Sequence, residues 1–484
     1  MATYLGLDLG TSGLRGLLVD DGGVPLASAS HPLSVEHRHP GWSEQDPVSW
    51  IAAVDAVVAE LRATQPRFQD VRGIGVSGHM HGATLLDSED RVIRPCILWN
   101  DTRSHAEAAA LDAIPEERAL SGTIVFPGFT APKLLWVESH EPSAFARVAK
   151  VLLPAGFLNF HLTGDHVADL SDSAGTSWLD VGARDWSEKL LTAGHMRRDQ
   201  MPRLVEGSAQ AGTLRPELVA EWGLNGEVVV AGGAGDNAAA ACGIGALQEG
   251  VGFVSLGTSG VVLTARDGFH PAPDTAVHTF CHAVPERWYQ MGVMLSATDS
   301  LNWLSGLTGQ SPSDLSRPLT GTLRAPNTVR FLPYLSGERT PHNDSVIRGS
   351  FTGLGRETGV TDLTQAVFEG VAYGMRDSYE ALSATGVRAE TLYAIGGGTA
   401  SPYWVELLAT TMRVPLSLPD GSEFGAALGA ARLGLVAATG ASPEEVMTPP
   451  RVAGRVEPNR ALQTAFDEGY EAFRAAYPAI RGIQ

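Results

Sequence analysis

The pentapeptide LGTSG stands at residues 9–13, in YLGLDLGTSGLRGLLVD, and again at 256–260, in GFVSLGTSGVVLTA. In both copies an apolar run enters the loop and a second one leaves it, the pattern of two strands joined by a polar, Gly-rich turn. Such turns bring backbone N–H groups close to a phosphate, and Ser or Thr hydroxyls add donors. Gly10, Thr11 and Ser12 offer that chemistry from one loop, Gly257, Thr258 and Ser259 from the other. One position breaks the symmetry: Asp8 precedes the first copy and Ser255 the second. A triphosphate between two such loops can use one carboxylate to hold Mg²⁺, usually through water, and would be repelled by a second. Asp8 is therefore the expected metal-facing carboxylate and Ser255 its neutral counterpart. Two ordinary β-hairpins with Gly at their turns are the plain alternative for either copy alone. The pair, with a third Gly-rich turn at Gly396, Gly397 and Gly398, favours a bound nucleotide.

The elements around these loops repeat as well. Residues 4–19 read as a hairpin closed by the DDGG turn at 20–23, followed by a strand at 25–35. Asp46-Pro47 then opens a helix with apolar residues at Trp50, Val54, Val57, Val58 and Leu61, and VRGIGVSG and GATLLD read as further strands. The pattern restarts at GEVVVAGGAGD, a strand running into a Gly-rich turn, followed by the small-residue helix NAAAACGIGAL and the second hairpin. On this register Asp267 falls opposite Asp20. ETLYAIGGGTASPYWVELLATTM reads as strand, glycine turn and helix, and an amphipathic helix is expected near 458–476. The expected architecture is α/β: two similar domains facing each other across a cleft, residues 1–226 and 227–455, with a C-terminal helix in 456–484.

With 484 residues the chain is too long for one core. Its net charge of −19 argues against a nucleic-acid footprint and an anionic membrane surface. No apolar stretch is long enough to span a bilayer, and MATYLGLDLG has no basic region of a signal or transit peptide, so a cytoplasmic enzyme is expected. Cys96, Cys242 and Cys281 form no CxxC and read as reduced, buried thiols. Lysine occurs only at 133, 150 and 189, never followed by Ser or Thr, which excludes a GxxxxGK[ST] loop. GIGVSG (73–78) matches GxGxxG, but a turn and strand follow where a dinucleotide fingerprint needs a helix. The HxH pairs at 37–39 and 79–81 lack an acidic third ligand, which ranks a zinc hydrolase low.

These residues resemble the actin, Hsp70 and sugar-kinase superfamily, with its two phosphate hairpins and adenosine-binding glycine turn, that is, the actin-like ATPase (ribonuclease H-like) fold. Within it the chain resembles the FGGY carbohydrate kinases. GFTAPKLLWVESH (128–140) and GSFTGLGRETGVTDLTQAVFE (349–369) match the two signature segments of that family, supported by WSEQDP (42–47), ILWNDTR (97–103) and FLPYLSGERTPH (331–342). VSGHMHGATLLD (76–87) is similar to the segment of the xylulose-phosphorylating members in which a Met-His pair contacts the sugar; glycerol-phosphorylating members carry Arg-Glu there. The resemblance implies ATP- and Mg²⁺-dependent phosphorylation of a pentulose, D-xylulose at its 5-hydroxyl, with ribulose, ribitol or arabinitol as alternatives.

A kinase of this kind needs a base beside the attacking hydroxyl. Asp236, in GGAGDNAAAACG, follows a Gly-rich turn and precedes a helix; the resemblance implies that it is the proton acceptor, expected from the domain opposite Asp8. A helix cap is the alternative reading of an Asp at this place. Met80 and His81 are expected to line the sugar, with Asn237, with Trp99 as an apolar face, and with Asp101 or Arg103 as polar neighbours. Lys133 reads either as a phosphate ligand or as a structural residue, and Glu338 with Arg339 as an internal ion pair. Ser401 is expected near the adenosine. The expected partners are the sugar and ATP, and a homodimer is compatible with the sequence. The rival from another class is a nucleotide-driven binding protein of the actin or Hsp70 type, which calls for a peptide-binding module or polymer interface that the chain has no spare segment to supply.

Overall fold

Strands β1 (Thr3–Leu9) and β2 (Gly13–Asp20) pair antiparallel through the first LGTSG loop, and β3 (Pro25–Pro32) pairs with β2 in a computed structural model that describes residues 1–420 and 425–483. Asp20 sets the turn between β2 and β3 by accepting the N–H groups of Gly22 and Val24. Asp46 caps α1 (Pro47–Thr64) by accepting from the Val48 N–H, and Pro47 occupies the first turn, where no helical hydrogen bond is lost. The alternation of β1 explains its two neighbours. Leu5, Leu7 and Leu9 share a core with Trp50, Val54, Val57 and Leu61 of α1. Tyr4 and Gly6 face the opposite side, and Asp8 lies at the end of that face.

Strand β4 (Val71–Gly78) runs parallel to β1. Much later in the chain β5 (Gln210–Thr213), β6 (Val229–Ala231) and β7 (Ala234–Gly235) complete a seven-stranded sheet in the order β5-β6-β4-β1-β2-β3, with β7 also paired to β4. The same plan returns in β8 (Gly252–Leu256) and β9 (Gly260–Arg266), which flank the second LGTSG loop. With β10 (His278–Cys281), β11 (Trp288–Met294), β12 (Leu392–Ile395), β13 (Leu416–Pro419) and β14 (Val452–Val456) they form a second seven-stranded sheet, ordered β10-β11-β9-β8-β12-β13-β14. In each sheet the strand before LGTSG has an antiparallel neighbour on one side and a parallel one on the other. The duplication therefore extends from the pentapeptide to the topology.

The strand-and-turn segment at 229–235 belongs to the first sheet, so the division expected at 226 precedes the last strands of that sheet. Its parallel pairing is with a strand far back in the chain, and no local residue pattern marks such a partner.

Helix α2 (Thr130–His140) belongs to the first domain, and α3 (Asp236–Gly243) follows β7 directly. In the second domain α4 (Val360–Ser383) is buried along nearly its whole length, and α5 (Pro402–Met412) packs on it. Helix α6 (Gly425–Thr439) comes between β13 and β14 of the second sheet in the chain but lies on the first sheet. A Cβ on Gly6 would come within 2.0 Å of the Ala427 carbonyl oxygen, and one on Gly75 within 1.9 Å of that of Ala430. Gly73 and Gly75 of GIGVSG thus admit a helix backbone rather than a pyrophosphate. A Cβ on Gly429 would meet the Ala239 carbonyl at 1.8 Å, so α3 and α6 cross with their backbones in contact. The C-terminal helix, α7 (Gln463–Arg481), starts and ends later than expected. Cys96, Cys242 and Cys281 are buried and unpaired. Among the described residues no helix is long and apolar enough to cross a membrane.

Candidate active site

Asp8 ends β1, and Asp236 opens α3 immediately after β7; both strands pair with β4, one on each side. The two carboxylates are therefore neighbours at the end of one sheet. This corrects the expectation that the base comes from the domain opposite Asp8: the fold puts both on the first sheet, and the second domain contributes the second hairpin. Ser77 of β4 donates its hydroxyl to Asp8 Oδ1 at 2.8 Å. Burial raises the Asp8 carboxyl above the usual carboxylate range, against the pull of that hydrogen bond and of the Arg15 charge.

Asp236 is the first residue of α3 rather than its cap, which is Gly235. Its Oδ1 accepts from the Asn237 backbone N–H at 2.6 Å and from Asn237 Nδ2 at 2.8 Å, leaving Oδ2 without a partner among the described residues. Burial, and then the charge of Asp8, raise Asp236 to about 6. Asn237 thus orients the carboxylate.

The expected acceptor wall begins where β4 ends. Met80 packs against Gly235, where a Cβ would stand 2.8 Å from Met80 Cγ. His81 is buried in the left-handed backbone region, with φ of 69°. Its Nδ1 is 2.7 Å from the Gly175 carbonyl oxygen, so Nδ1 carries the proton and Nε2 is left as an acceptor. The ring stacks on Phe129 at 4.2 Å between centroids. Burial lowers His81 to about 3, so the imidazole is neutral. Lys133, wholly buried on α2, donates Nζ to the His81 carbonyl at 2.8 Å, and Thr130 donates its hydroxyl to the same oxygen. Burial pulls Lys133 down to about 7. Of its two readings, the structural one holds: Lys133 fixes the strained turn that carries His81.

Trp99 and Asp101 are both tied to other protein groups. The Trp99 indole N–H donates to Thr11 Oγ1 at 3.0 Å and steadies the first hairpin. Asp101 is 1% exposed and paired with the Arg103 guanidinium through both oxygens, while Ser43 and Arg103 donate their backbone N–H groups to it. With every lone-pair direction engaged, Asp101 has nothing left for a sugar. Arg103 also reaches Glu44 and lies 3.6 Å over Trp42. WSEQDP is thus scaffold: Trp42 and Glu44 hold Arg103, Gln45 donates to the Thr11 carbonyl at 2.7 Å, and Asp46 caps α1. Glu338 accepts the backbone N–H groups of Leu295 and Arg339, and no ion pair joins its carboxylate to the Arg339 guanidinium.

The hairpins differ in their surroundings. In the first, the Gly10 N–H closes on the Gly13 carbonyl at 2.9 Å. In the second, Thr298 and Ala297 donate their N–H groups to the carbonyls of Gly257 and Thr258. Gly257, Thr258, Gly397, Gly398 and Ser401 line one cavity of about 710 Å³, together with Asn302, Arg317 and Trp404. Gly396 holds φ of 91°, and Ser401 caps α5 by accepting the Trp404 N–H. The sequence brought the glycines and Ser401 forward; Asn302 and Arg317 had no motif around them.

Two further acids were missed. Asp169 accepts Ser171 and Asp172 N–H groups, and burial raises it to about 7. Asp172 is 1% exposed with neither carboxyl oxygen hydrogen-bonded, and burial with the charges of Asp169 and Asp236 raises it far above the usual range. Among the described residues no group of three His, Cys, Asp or Glu side chains is placed to hold a metal. A divalent ion here would take one carboxylate, Asp8, with phosphate oxygens and water, the donor set that suits Mg²⁺. Its charge would also relieve the repulsion between Asp8 and Asp236.

Known proteins bear on the site at this point. Residues 3–243 match the model of the N-terminal domain of the FGGY family of carbohydrate kinases, and residues 252–438 that of its C-terminal domain. A xylulose kinase of Escherichia coli (strain K12) is 47% identical over 438 residues, 90% of each chain. Among solved structures, a protein described as a "xyloylose kinase" from Brucella ovis superposes with a TM-score of 0.98 at 56% identity over 100% of both chains. The xylulose kinase from Rhodospirillum rubrum gives 0.90 at 28% identity, covering 99% of each chain.

Proposed function

The chain belongs to the FGGY family of carbohydrate kinases, and on that premise we propose that it transfers the terminal phosphoryl group of ATP to the 5-hydroxyl of D-xylulose. That it is a carbohydrate kinase follows from the family; the sugar, the metal and the residue roles are the proposal. The observation that carries it is the juxtaposition of a carboxylate with a free oxygen, Asp236 Oδ2, and a Met80-His81 wall packed on the adjoining Gly235. The similarity to a xylulose kinase over 90% of the chain supports the choice of sugar.

Asp236 Oδ2 accepts the proton of the attacking hydroxyl while Asn237 holds Oδ1. A carboxylate raised to about 6 is still ionised at neutral pH, yet is a stronger base than an exposed one. His81, neutral and fixed by Gly175, Phe129 and Lys133, offers Nε2 to a sugar hydroxyl. Met80 gives the apolar side of the wall. Gly257 and Thr258 of the second hairpin bind the phosphates, and the cavity behind them takes the nucleoside, with Gly397, Gly398 and Ser401 along its edge. Gly10, Thr11 and Ser12 supply donors from the first hairpin. Asp8 is the residue that would hold Mg²⁺, which when bound neutralises charge on the phosphate oxygens. Sugar and nucleotide sit on different domains, so transfer needs the cleft to close, and closure keeps water from competing as acceptor.

The test is Asp236→Ala. Phosphorylation of D-xylulose should be abolished while Mg·ATP still binds with nearly the affinity of the parent. A loss of ATP affinity as large as the loss of rate would remove Asp236 from the base's role.

A further inference from the structure

We infer that Arg339 is a sugar-binding residue that reaches from the second domain to the end of the acceptor remote from the transferred phosphoryl group. This rests on the reading of the cleft as a pentulose site.

The loop that carries Arg339 is held rigidly. Thr340 donates its N–H to the Val293 carbonyl at 3.0 Å and its hydroxyl to the Ala276 carbonyl at 2.9 Å, and it accepts the Val293 N–H at 2.9 Å. Glu338 Oε1 accepts the N–H groups of Leu295 and Arg339 at 3.0 and 2.7 Å. The loop is thereby fastened to the end of β11, and its one long cation projects across the cleft.

That cation has no acceptor. Among the described residues the Arg339 guanidinium makes no ion pair and no hydrogen bond; its only close partner is the face of Phe126, 4.3 Å away in the first domain. A guanidinium carries five N–H donors, and with none of them engaged by a described residue they are open to the oxygens of a ligand in the cleft. The neighbouring Glu338 attracts the cation but gives it no hydrogen bond: its Oε1 takes two backbone N–H groups, and no ion pair joins the two side chains.

The position along the cleft says which part of a ligand it meets. Asp236 adjoins Gly235, which touches Met80. His81 follows Met80 and stacks on Phe129, and Phe129 meets Phe126 at 5.6 Å between centroids. Arg339 lies over Phe126, at the far end of this series from Asp236. Its charge is felt at His81 and His278, whereas the charge felt at Asp236 is that of Asp8. In a ketopentose whose 5-hydroxyl lies at Asp236, the remote end is the C2 carbonyl and the C1 hydroxyl. Both accept hydrogen bonds, and together they suit the planar fork of a guanidinium.

The test compares the parent with Arg339→Met in steady-state kinetics on D-xylulose and 1-deoxy-D-xylulose, with Tm measured beside it. Loss of charged hydrogen bonds should raise KM for D-xylulose about 10- to 100-fold. KM for ATP and Tm should stay near the parent's, and Arg339→Lys should recover part of the loss. With 1-deoxy-D-xylulose the variant and the parent should differ much less. A KM for D-xylulose within about threefold of the parent's, or an equal penalty on both sugars, overturns the inference. Should Arg339→Met melt well below the parent, Arg339→Gln decides by the same comparison. A parent that phosphorylates no pentulose defeats the proposed function itself, whereas an active parent with an indifferent Arg339→Met defeats this inference alone.

Discussion

Gly235→Ala probes the join between the proposed base and the proposed acceptor wall. The added methyl would stand 2.8 Å from Met80 Cγ and 3.0 Å from Met80 Sδ, where ordinary contact begins at 3.4 Å. Either Met80 retreats by about half an ångström or the start of α3, with Asp236, does. The neighbouring atoms belong to a flexible thioether, so the cost in stability is modest, about 1 kcal/mol. The cost in reactivity is larger, because a misplacement of about 1 Å costs roughly 100-fold in rate and half of that roughly tenfold. In an assay of ADP release, kcat/KM for D-xylulose should therefore fall about tenfold. KM for ATP should not change, since the proposed nucleotide cavity lies on the other domain. Gly306→Ala, whose methyl meets nothing within 4 Å, is the control and should match the parent. If Gly235→Ala matched it too, Met80 and Asp236 would not share one pocket.

Three other perturbations have definite outcomes. Lys133→Met keeps the buried chain but removes the donor to the His81 carbonyl, so KM for the sugar should rise roughly tenfold while KM for ATP holds; unchanged sugar kinetics would show that the turn holds itself. Gly75→Ala pushes a methyl to 1.9 Å from a helix carbonyl that cannot rotate away, against 2.4 Å from the movable Val57 Cγ1 for Gly16→Ala. Gly75→Ala should cost roughly 3 kcal/mol or more and lower Tm further than Gly16→Ala; equal melting would mean that α6 yields easily. Glu117 is buried with both carboxyl oxygens unpartnered, and burial followed by the Asp112 charge raises it to about 8. The folded chain keeps that proton while the unfolded chain releases it near 4.5, so the stability it contributes is present below 4.5 and is lost as pH rises toward 8. Glu117→Gln should gain on the parent by about 1.4 kcal/mol per pH unit across that window, read as a widening Tm difference; a flat difference would show that Glu117 ionises in the fold.

What could be read in the sequence was local. The twin LGTSG loops, Asp8, the glycine turn at 396–398 and Asp236 all announce themselves within a dozen residues, because Gly-rich turns are built from contiguous backbone. The structure gathers five of the expected nucleotide residues around one cavity and sets Asp236 beside Met80 through Gly235. What could not be read was long-range. Residues 229–235 look like the opening of a second domain, yet β6 and β7 pair with β4. Asp101 sits in a segment suited to a sugar, but Arg103 and the Ser43 N–H claim it. Asp172 and Arg339 stand out only when their missing partners can be seen. The glycine spacing in GIGVSG and the small residues of GAALGAARLGLVAAT did carry a signal, that of a helix laid directly on a sheet, but each half has meaning only with the other.

The most direct measurement is ADP release with Mg·ATP, alone and with D-xylulose, L-xylulose, D-ribulose, ribitol and glycerol in turn. A large stimulation by D-xylulose over the rest, absent in Asp236→Ala, is the expected result. Stimulation by another of these sugars would keep the two-hairpin site and overturn the acceptor pocket. An ATPase rate that no sugar changes would contradict the central claim, that Asp236 takes a proton from a sugar hydroxyl.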